Sequence, residues 1–351
     1  MLLARIRSQI LIRPSNHLPA LSNRIFYTAR YQYSTMATDT SKYKLNHTML
    51  RVKDPVETVK FYELLGMKVI NKIANPQYNF DLYFLAFDST KAESPGKHWT
   101  DREGVVELTH NYGTESNAEY TINNGNDEPH KGFGHIAISV DNLQAACDRL
   151  EQANVAFKKK LSEGRMRHIA FAKDPNGYWI EIIGLKDQVT TETDTNTYRM
   201  NHSMIRVKSA KESLKFYQET MGMMLLRTSK NESAKFDLYF LGYKREGEVE
   251  NNNITSEREG VLELTYNYGT NDPDSDFKGY HDGNAEPQGF GHICVTVDDL
   301  DAAVARFEEC NVNWKKRLTD GRMKDVAFIK DPDGYWIEVI QNEGIKKRAG
   351  W

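Results

Sequence analysis

Two histidines and two glutamates stand where strands ought to be apolar, and the same four positions recur in the second half of the chain. In "HTMLRV", His47 shares a face with Met49 and Arg51, while Thr48, Leu50 and Val52 share the other. Glu107 lies in "VVELTHN" in line with Thr109 and Asn111, opposite Val106 and Leu108. His135 heads "HIAISV", opposite Ile136, Ile138 and Val140, and Glu181 is flanked by Ile180 and Ile182 in "YWIEII". The second half repeats the four as His202, Glu263, His292 and Glu338. Taken singly, a strand histidine is usually satisfied by its neighbours, and a strand glutamate often faces water. The set is harder to dismiss, because a carboxylate buried without a partner is strongly unfavourable unless a cation neutralises it. Nitrogen and carboxylate donors together suit zinc or a neighbouring divalent metal. The residues alone leave two readings open, a metal site and a pair of polar-lined binding clefts.

The elements that must position these residues also come in duplicate. "FDLYFLAF" at 80 returns as "FDLYFLGY" at 236, "REGVVELTHNYGT" at 102 as "REGVLELTYNYGT" at 258, "GFGHIAISV" at 132 as "GFGHICVTV" at 289, and "KDPNGYWIEII" at 173 as "KDPDGYWIEVI" at 330. Each copy contains two modules. In the first, a strand leads into "DPVETVKFYELLGM", where Asp54 can cap, Pro55 suits the first helical position and Gly66 can close the helix. Strands over "MKVINKIA", "FDLYFLAF" and "GVVELTHNY" follow. In the second, "GHIAISV" precedes a helix with Leu143, Ala146, Cys147 and Leu150 on one stripe, then strands near "FKKKLS", "RHIAFAKD" and "YWIEIIG". The fold class expected is α+β, with four βαβββ modules in two homologous domains and the sites between them. The boundaries read as a leader over 1–42, a first domain over 43–186, a linker over 187–198, a second domain over 199–342 and a tail over 343–351.

Bulk properties exclude several classes. A formal net charge of −3 argues against a nucleic-acid surface. No stretch approaches the length of a membrane-spanning helix. Three cysteines without C-x-x-C spacing, Cys147, Cys294 and Cys310, argue against a disulfide framework and a thiolate zinc site. The first 38 residues carry five arginines and no acid, the composition of a mitochondrial transit peptide, while Met36 offers an internal start. Cytoplasmic and mitochondrial forms are both expected.

"TMLRVKD", "FDLYFL", "ELTHNYGTE", "GFGHI" and "KDPNGYWIEI" together strongly resemble glyoxalase I, or lactoylglutathione lyase, of the vicinal oxygen chelate superfamily. The likeness covers residues 43 to 341 and fits the double-length fungal type. It implies metal-dependent isomerisation of the methylglyoxal–glutathione hemithioacetal to S-lactoylglutathione, with about two Zn2+ per chain, other divalent metals being compatible. The implied ligands are His47 and Glu107 with His292 and Glu338, and His202 and Glu263 with His135 and Glu181. Glu181 and Glu338 are the implied proton-transfer bases. Histidine replaces the glutamine usual at the first ligand position in animal members, and the long connections at 88–101 and 244–257 resemble those of zinc-dependent ones.

For glutathione the resemblance implies Arg51 and Asn111, with Arg206 and Asn267 in the other half, at the γ-glutamyl carboxylate. Lys159 with Met166, and Lys316 with Met323, match the positions that close over the glycyl end. One departure stands out, since the arginine that precedes "GFGH" in the family is Lys131 in one copy and Gln288 in the other. The fusion of two copies implies a monomer. The rivals are an iron-dependent extradiol dioxygenase, against which two glutamates per site argue, and a metal-free binding module.

Overall fold

The reason each half contains two modules becomes visible in how the strands pair. A computed structural model of the protein describes residues 38–347, residue 165 apart. The leader expected over 1–42, with Met36 inside it, lies outside the described residues except for residues 38–42. The first module comprises β1 (Lys44–Val52), α1 (Pro55–Leu64), β2 (Lys68–Asn75), β3 (Phe80–Ala86) and β4 (Val105–Asn111). The second comprises β5 (Phe133–Val140), α2 (Leu143–Gln152), β6 (Phe157–Lys159), β7 (Ile169–Lys173) and β8 (Trp179–Gly184). The second copy follows the same order: β9 (Arg199–Val207), α3 (Ala210–Lys215), β10 (Met224–Asn231), β11 (Phe236–Gly242) and β12 (Val261–Asn267). It ends with β13 (Phe290–Val297), α4 (Leu300–Glu309), β14 (Asn313–Lys316), β15 (Val326–Lys330) and β16 (Trp336–Gln341). The α+β class and the four βαβββ modules are those the sequence predicts.

The helices start where side chains can satisfy their free amides. Asp54 accepts from the backbone N–H of Val56 and Glu57, Asn142 from Ala145, Ser209 from Glu212 and Asp299 from Ala302. One helix departs from its twin. Eleven residues separate Asp54 from Gly66, but twelve separate Ser209 from Gly222. The extra residue is taken up as a π turn over Phe216–Thr220 that continues α3. The strands on both sides of the helix therefore keep the same placement in the two halves.

Each of the two eight-stranded sheets draws on both halves. Their orders are β2-β3-β4-β1-β13-β16-β15-β14 and β10-β11-β12-β9-β5-β8-β7-β6. The first module of one half thus joins the second module of the other through an antiparallel pair, β1 with β13 and β9 with β5. Within each module the flanking pairs are parallel, β1 with β4 and β13 with β16. Leu50, Val52, Val106, Leu108, Ile136 and Ile138, with their counterparts, are buried in one continuous apolar cluster. Burial of such side chains is the main favourable contribution to folding. Phe133 and Phe290 stack across the junction of the halves, ring centroids 4.9 Å apart.

The loops before "GFGH" lock together. Asn123 N–H donates to the Gln288 carbonyl (2.9 Å) and His281 N–H to the Lys131 carbonyl (2.8 Å). A Cβ at Gly132 would lie 2.0 Å from the His281 oxygen, and one at Gly289 1.8 Å from the Asn123 oxygen. Only glycine permits that approach. Among the described residues no helix is long and apolar enough to cross a membrane.

Candidate metal centres

Crosswise pairing of the sheets brings the eight strand histidines and glutamates into two buried tetrads. His47, Glu107, His292 and Glu338 form the first, and His135, Glu181, His202 and Glu263 the second; within each, the four potential ligand atoms lie within 4.8 Å of one another. In the first, His47 Nε2 is 2.8 Å from Glu107 Oε2, 3.2 Å from Glu338 Oε2 and 3.3 Å from His292 Nε2. In the second, His202 Nε2 is 3.1 Å from Glu263 Oε2, 3.2 Å from Glu181 Oε2 and 3.2 Å from His135 Nε2. Register explains the convergence. His47 lies on β1 between β4, which carries Glu107, and β13, which carries His292, while β16 adds Glu338 from the next strand.

The donor set fits a divalent cation. Burial alone would raise the Glu107 carboxyl, yet hydrogen bonds from His292 and His47 hold it down at about 2. Burial also opposes charge on His292 and His202, but Glu338 and Glu107 around the first, and Glu181 and Glu263 around the second, lift both to about 9. Glu181 and Glu338, despite burial, are held below the usual carboxylate range by His135 with His202 and by His292 with His47. Nitrogen and carboxylate donors set this close need positive charge between them. A divalent ion at the centre would supply it, displacing protons from the ligands.

Neighbours orient the ligands. Asn46 Oδ1 lies 2.7 Å from His47 Nδ1, and Asn201 Oδ1 2.7 Å from His202 Nδ1. An acceptor at Nδ1 keeps the proton there and turns the Nε2 lone pair to the centre. Each asparagine amide also donates to two loop carbonyls, Trp99 and Arg102 for Asn46, Thr255 and Arg258 for Asn201. The hydroxyls of Thr109 and Thr265 donate to Oε1 of Glu107 and Glu263, each at 3.1 Å. The Glu338 and Glu181 side chains lack such a threonine and are more exposed, 13% and 11% against 5% for each tethered glutamate. Neither the asparagine nor the threonine role follows from strand alternation. The sequence signals for them are the doubled "NH" and the "E-x-T" spacing, which puts Thr109 on the face of Glu107.

The predicted substrate residues divide between the centres. Arg51 Nη1 donates to the carbonyls of Gly289 and Phe290 (3.2 Å each) and Nη2 to Asn284 Oδ1 (2.9 Å), all in the other half. Arg206 repeats this with Gly132, Phe133 and Asn126. Asn267 donates to the Tyr280 hydroxyl at 2.9 Å, while Asn111 ends β4 in register with Phe80. Lys159 Nζ folds onto the Met166 and Ile169 carbonyls (2.6 and 2.8 Å), and Lys316 onto those of Met323 and Val326 (2.6 Å each), so both lysines fasten the loops that carry the exposed Met166 and Met323. A cleft of about 780 Å3 at the second tetrad is lined by Met166, Arg206 and Asn267 together with its four ligands. Lys131 pairs with Glu128 at 2.8 Å and Gln288 donates to the Asn284 carbonyl at 3.2 Å.

Comparison with known proteins places this geometry in context. The family described as Glyoxalase/Bleomycin resistance protein/Dioxygenase superfamily matches the chain twice, over residues 44–182 and 199–339. A protein of Saccharomyces cerevisiae named glyoxalase I is 50% identical over 84% of this chain and 91% of its own length. A lactoylglutathione lyase of Schizosaccharomyces pombe is 46% identical over 87% of this chain and 99% of its own. The crystal structure of glyoxalase I from Zea mays superposes with a TM-score of 0.63 at 27% identity, covering 86% of this chain and 93% of that one.

Proposed function

The chain belongs to the Glyoxalase/Bleomycin resistance protein/Dioxygenase superfamily, and from its likeness to lactoylglutathione lyases over more than four-fifths of its length we infer that it converts the methylglyoxal–glutathione hemithioacetal into S-lactoylglutathione. The observation that carries this reading is the crosswise tetrads, each two histidines and two glutamates, buried and converging across the halves. Zinc suits such nitrogen and oxygen donors, at two ions per chain. Bound there, it supplies Lewis-acid stabilisation of the negative charge that develops on the substrate oxygens.

The protein's own residues carry the rest. Isomerisation carries the carbon-bound proton from the sulfur-bearing carbon to its carbonyl neighbour, while the hydroxyl proton passes from the first oxygen to the second. A single base can take and return the carbon-bound proton, and no redox cofactor is needed, because one carbon is oxidised as the other is reduced. Glu338 in the first centre and Glu181 in the second fit that role, because they are the carboxylates without a threonine tether and with the greater exposure. Glu107 and Glu263, tethered, remain with the histidines as fixed ligands. Arg51 and Arg206 have committed Nη1 and one Nη2 hydrogen to the other half, which leaves Nε–H and the second Nη2–H to grip the γ-glutamyl carboxylate side-on. Asn111 and Asn267 stand at the ends of β4 and β12 to assist. Met166 and Met323, on loops fastened by Lys159 and Lys316, cover the glycyl end.

The test is turnover of methylglyoxal with glutathione, followed by the product thioester's ultraviolet absorbance, alongside elemental analysis of the purified protein. About two zinc ions per chain, loss of turnover on chelation and its return on adding zinc are expected. Full turnover by protein stripped of divalent metal would overturn the reading.

A further inference from the structure

The two centres share their ligands but not their walls. In the second, Glu263 on β12 is in register with Phe240 on β11, which is in register with Arg227 on β10. The next row runs Thr265, Leu238, Ser229, and the third Asn267, Phe236, Asn231. The first centre repeats the register with other residues, so that Glu107 and Phe84 lead to Asn71, and Thr109 and Leu82 lead to Ile73. The ligand row therefore ends on an arginine in one centre and an asparagine in the other. It lies two rows from Asn267, the proposed carboxylate anchor, so it faces the reacting carbons and whatever they carry.

The loop above the wall differs in the same sense. Trp99, whose carbonyl Asn46 holds, packs against Phe84 with its ring tilted by 35° at 4.3 Å and approaches the His47 ring at 6.3 Å. It belongs, with Ile73 and Leu82, to an apolar cluster around Phe84. The residue whose carbonyl Asn201 holds in the same way is Thr255, and Ser256 follows it. Arg227, Ser229, Thr255 and Ser256 all line the second cleft. Arg227 is exposed, and its guanidinium makes no ion pair or side-chain hydrogen bond among the described residues.

We propose that the two centres divide their substrates by the substituent on the oxoaldehyde. The second centre takes hemithioacetals of α-oxoaldehydes with a polar or anionic substituent, which Arg227 meets at the end of the ligand row. The first, walled by Trp99, Ile73 and Asn71, takes small or apolar ones. The assignment rests on the lyase reading above.

Single-centre chains test it. Glu107→Gln leaves the second centre working and Glu263→Gln the first. With zinc restored, the ratio of kcat/KM for the glutathione adduct of para-carboxyphenylglyoxal to that of phenylglyoxal should be at least about fivefold higher in E107Q than in E263Q, the scale of a partly exposed ion pair. Arg227→Asn added to E107Q should remove that difference. Equal ratios in the two single-centre chains, or no change on adding R227N, would overturn the division of substrates. Should either glutamine variant fail to fold, R227N alone in the intact enzyme should lower the ratio and weaken calorimetric binding of S-(para-carboxybenzyl)glutathione relative to S-benzylglutathione. Unchanged values there would also overturn it. Failure of the intact, zinc-loaded enzyme to turn over the methylglyoxal adduct is a separate outcome, which would sink the lyase reading itself.

Discussion

Asn46 and Asn201 each link a histidine to a distant loop through one amide. The oxygen sets the imidazole tautomer, and the nitrogen holds two carbonyls more than fifty positions further along the chain. Asn46→Ala should therefore damage the first centre alone. Metal affinity there is expected to fall roughly 10- to 100-fold, the usual effect of losing such a partner. Dialysis of the variant against a graded chelator should release one ion per chain well before the other, and simultaneous release of both would contradict the assignment. The histidines and glutamates were legible because charge in an apolar strand needs a reason. The asparagine was not, since a polar residue at the start of a strand needs none, and the carbonyls it serves belong to a loop whose path sequence does not reveal.

Most elements follow from local chemistry: the cap at Asp54, the apolar stripe of the helix at Leu143, alternation in the strands, and the glycine after the first helix. The π turn over Phe216–Thr220 did not follow, although the extra residue before Gly222 could have been counted. In the Asp-Pro-x-Gly-Tyr turns the proline is exposed while the aspartate and tyrosine are buried, which the sequence does not reveal. Asp331 accepts from the amides of Asp333 and Tyr335 and from the Tyr217 hydroxyl, and Asp174 repeats the amide pattern with Asn176 and Tyr178. These turns aim β16 and β8, and with them Glu338 and Glu181. Burial, with the Asp333 charge, pushes Asp331 up to about 7. Its carboxyl therefore keeps a proton that the unfolded chain releases near pH 4. The stability it contributes is full below that value and is lost as pH rises through about 7. Asp331→Asn, which preserves an acceptor but cannot ionise, should gain on the parent by a few degrees in Tm between about pH 5 and about pH 8. Calorimetric scans across that range would show it, and a pH-independent difference would rule out the ionisation as the cause.

At the scale of the whole molecule, the sequence displays the duplication plainly but is silent on how the copies engage. β1 could pair with β5 of its own half or with β13 of the other, because "GFGHI" begins both. Alternation and propensity are the same for either partner, so local reasoning has no basis for choosing, and only the resemblance to the family implies the crosswise arrangement. In the folded chain the choice is fixed by contacts between the halves: the Phe133–Phe290 stack, the Asn123–Gln288 and His281–Lys131 bridges, and the reach of Arg51 and Arg206 to the opposite loops. The consequence is a test that distinguishes crosswise from self-contained sites. Glu107→Gln with Glu338→Gln removes two ligands from one tetrad, so about half of the turnover should survive if the centres work at comparable rates. Glu107→Gln with Glu181→Gln removes one ligand from each, and turnover should fall by roughly 100-fold or more. Metal content should track the same division, one ion retained in the first variant and both weakened in the second. If each half built its own site the two outcomes would be exchanged, because Glu107 and Glu181 would then share a centre while Glu107 and Glu338 would not.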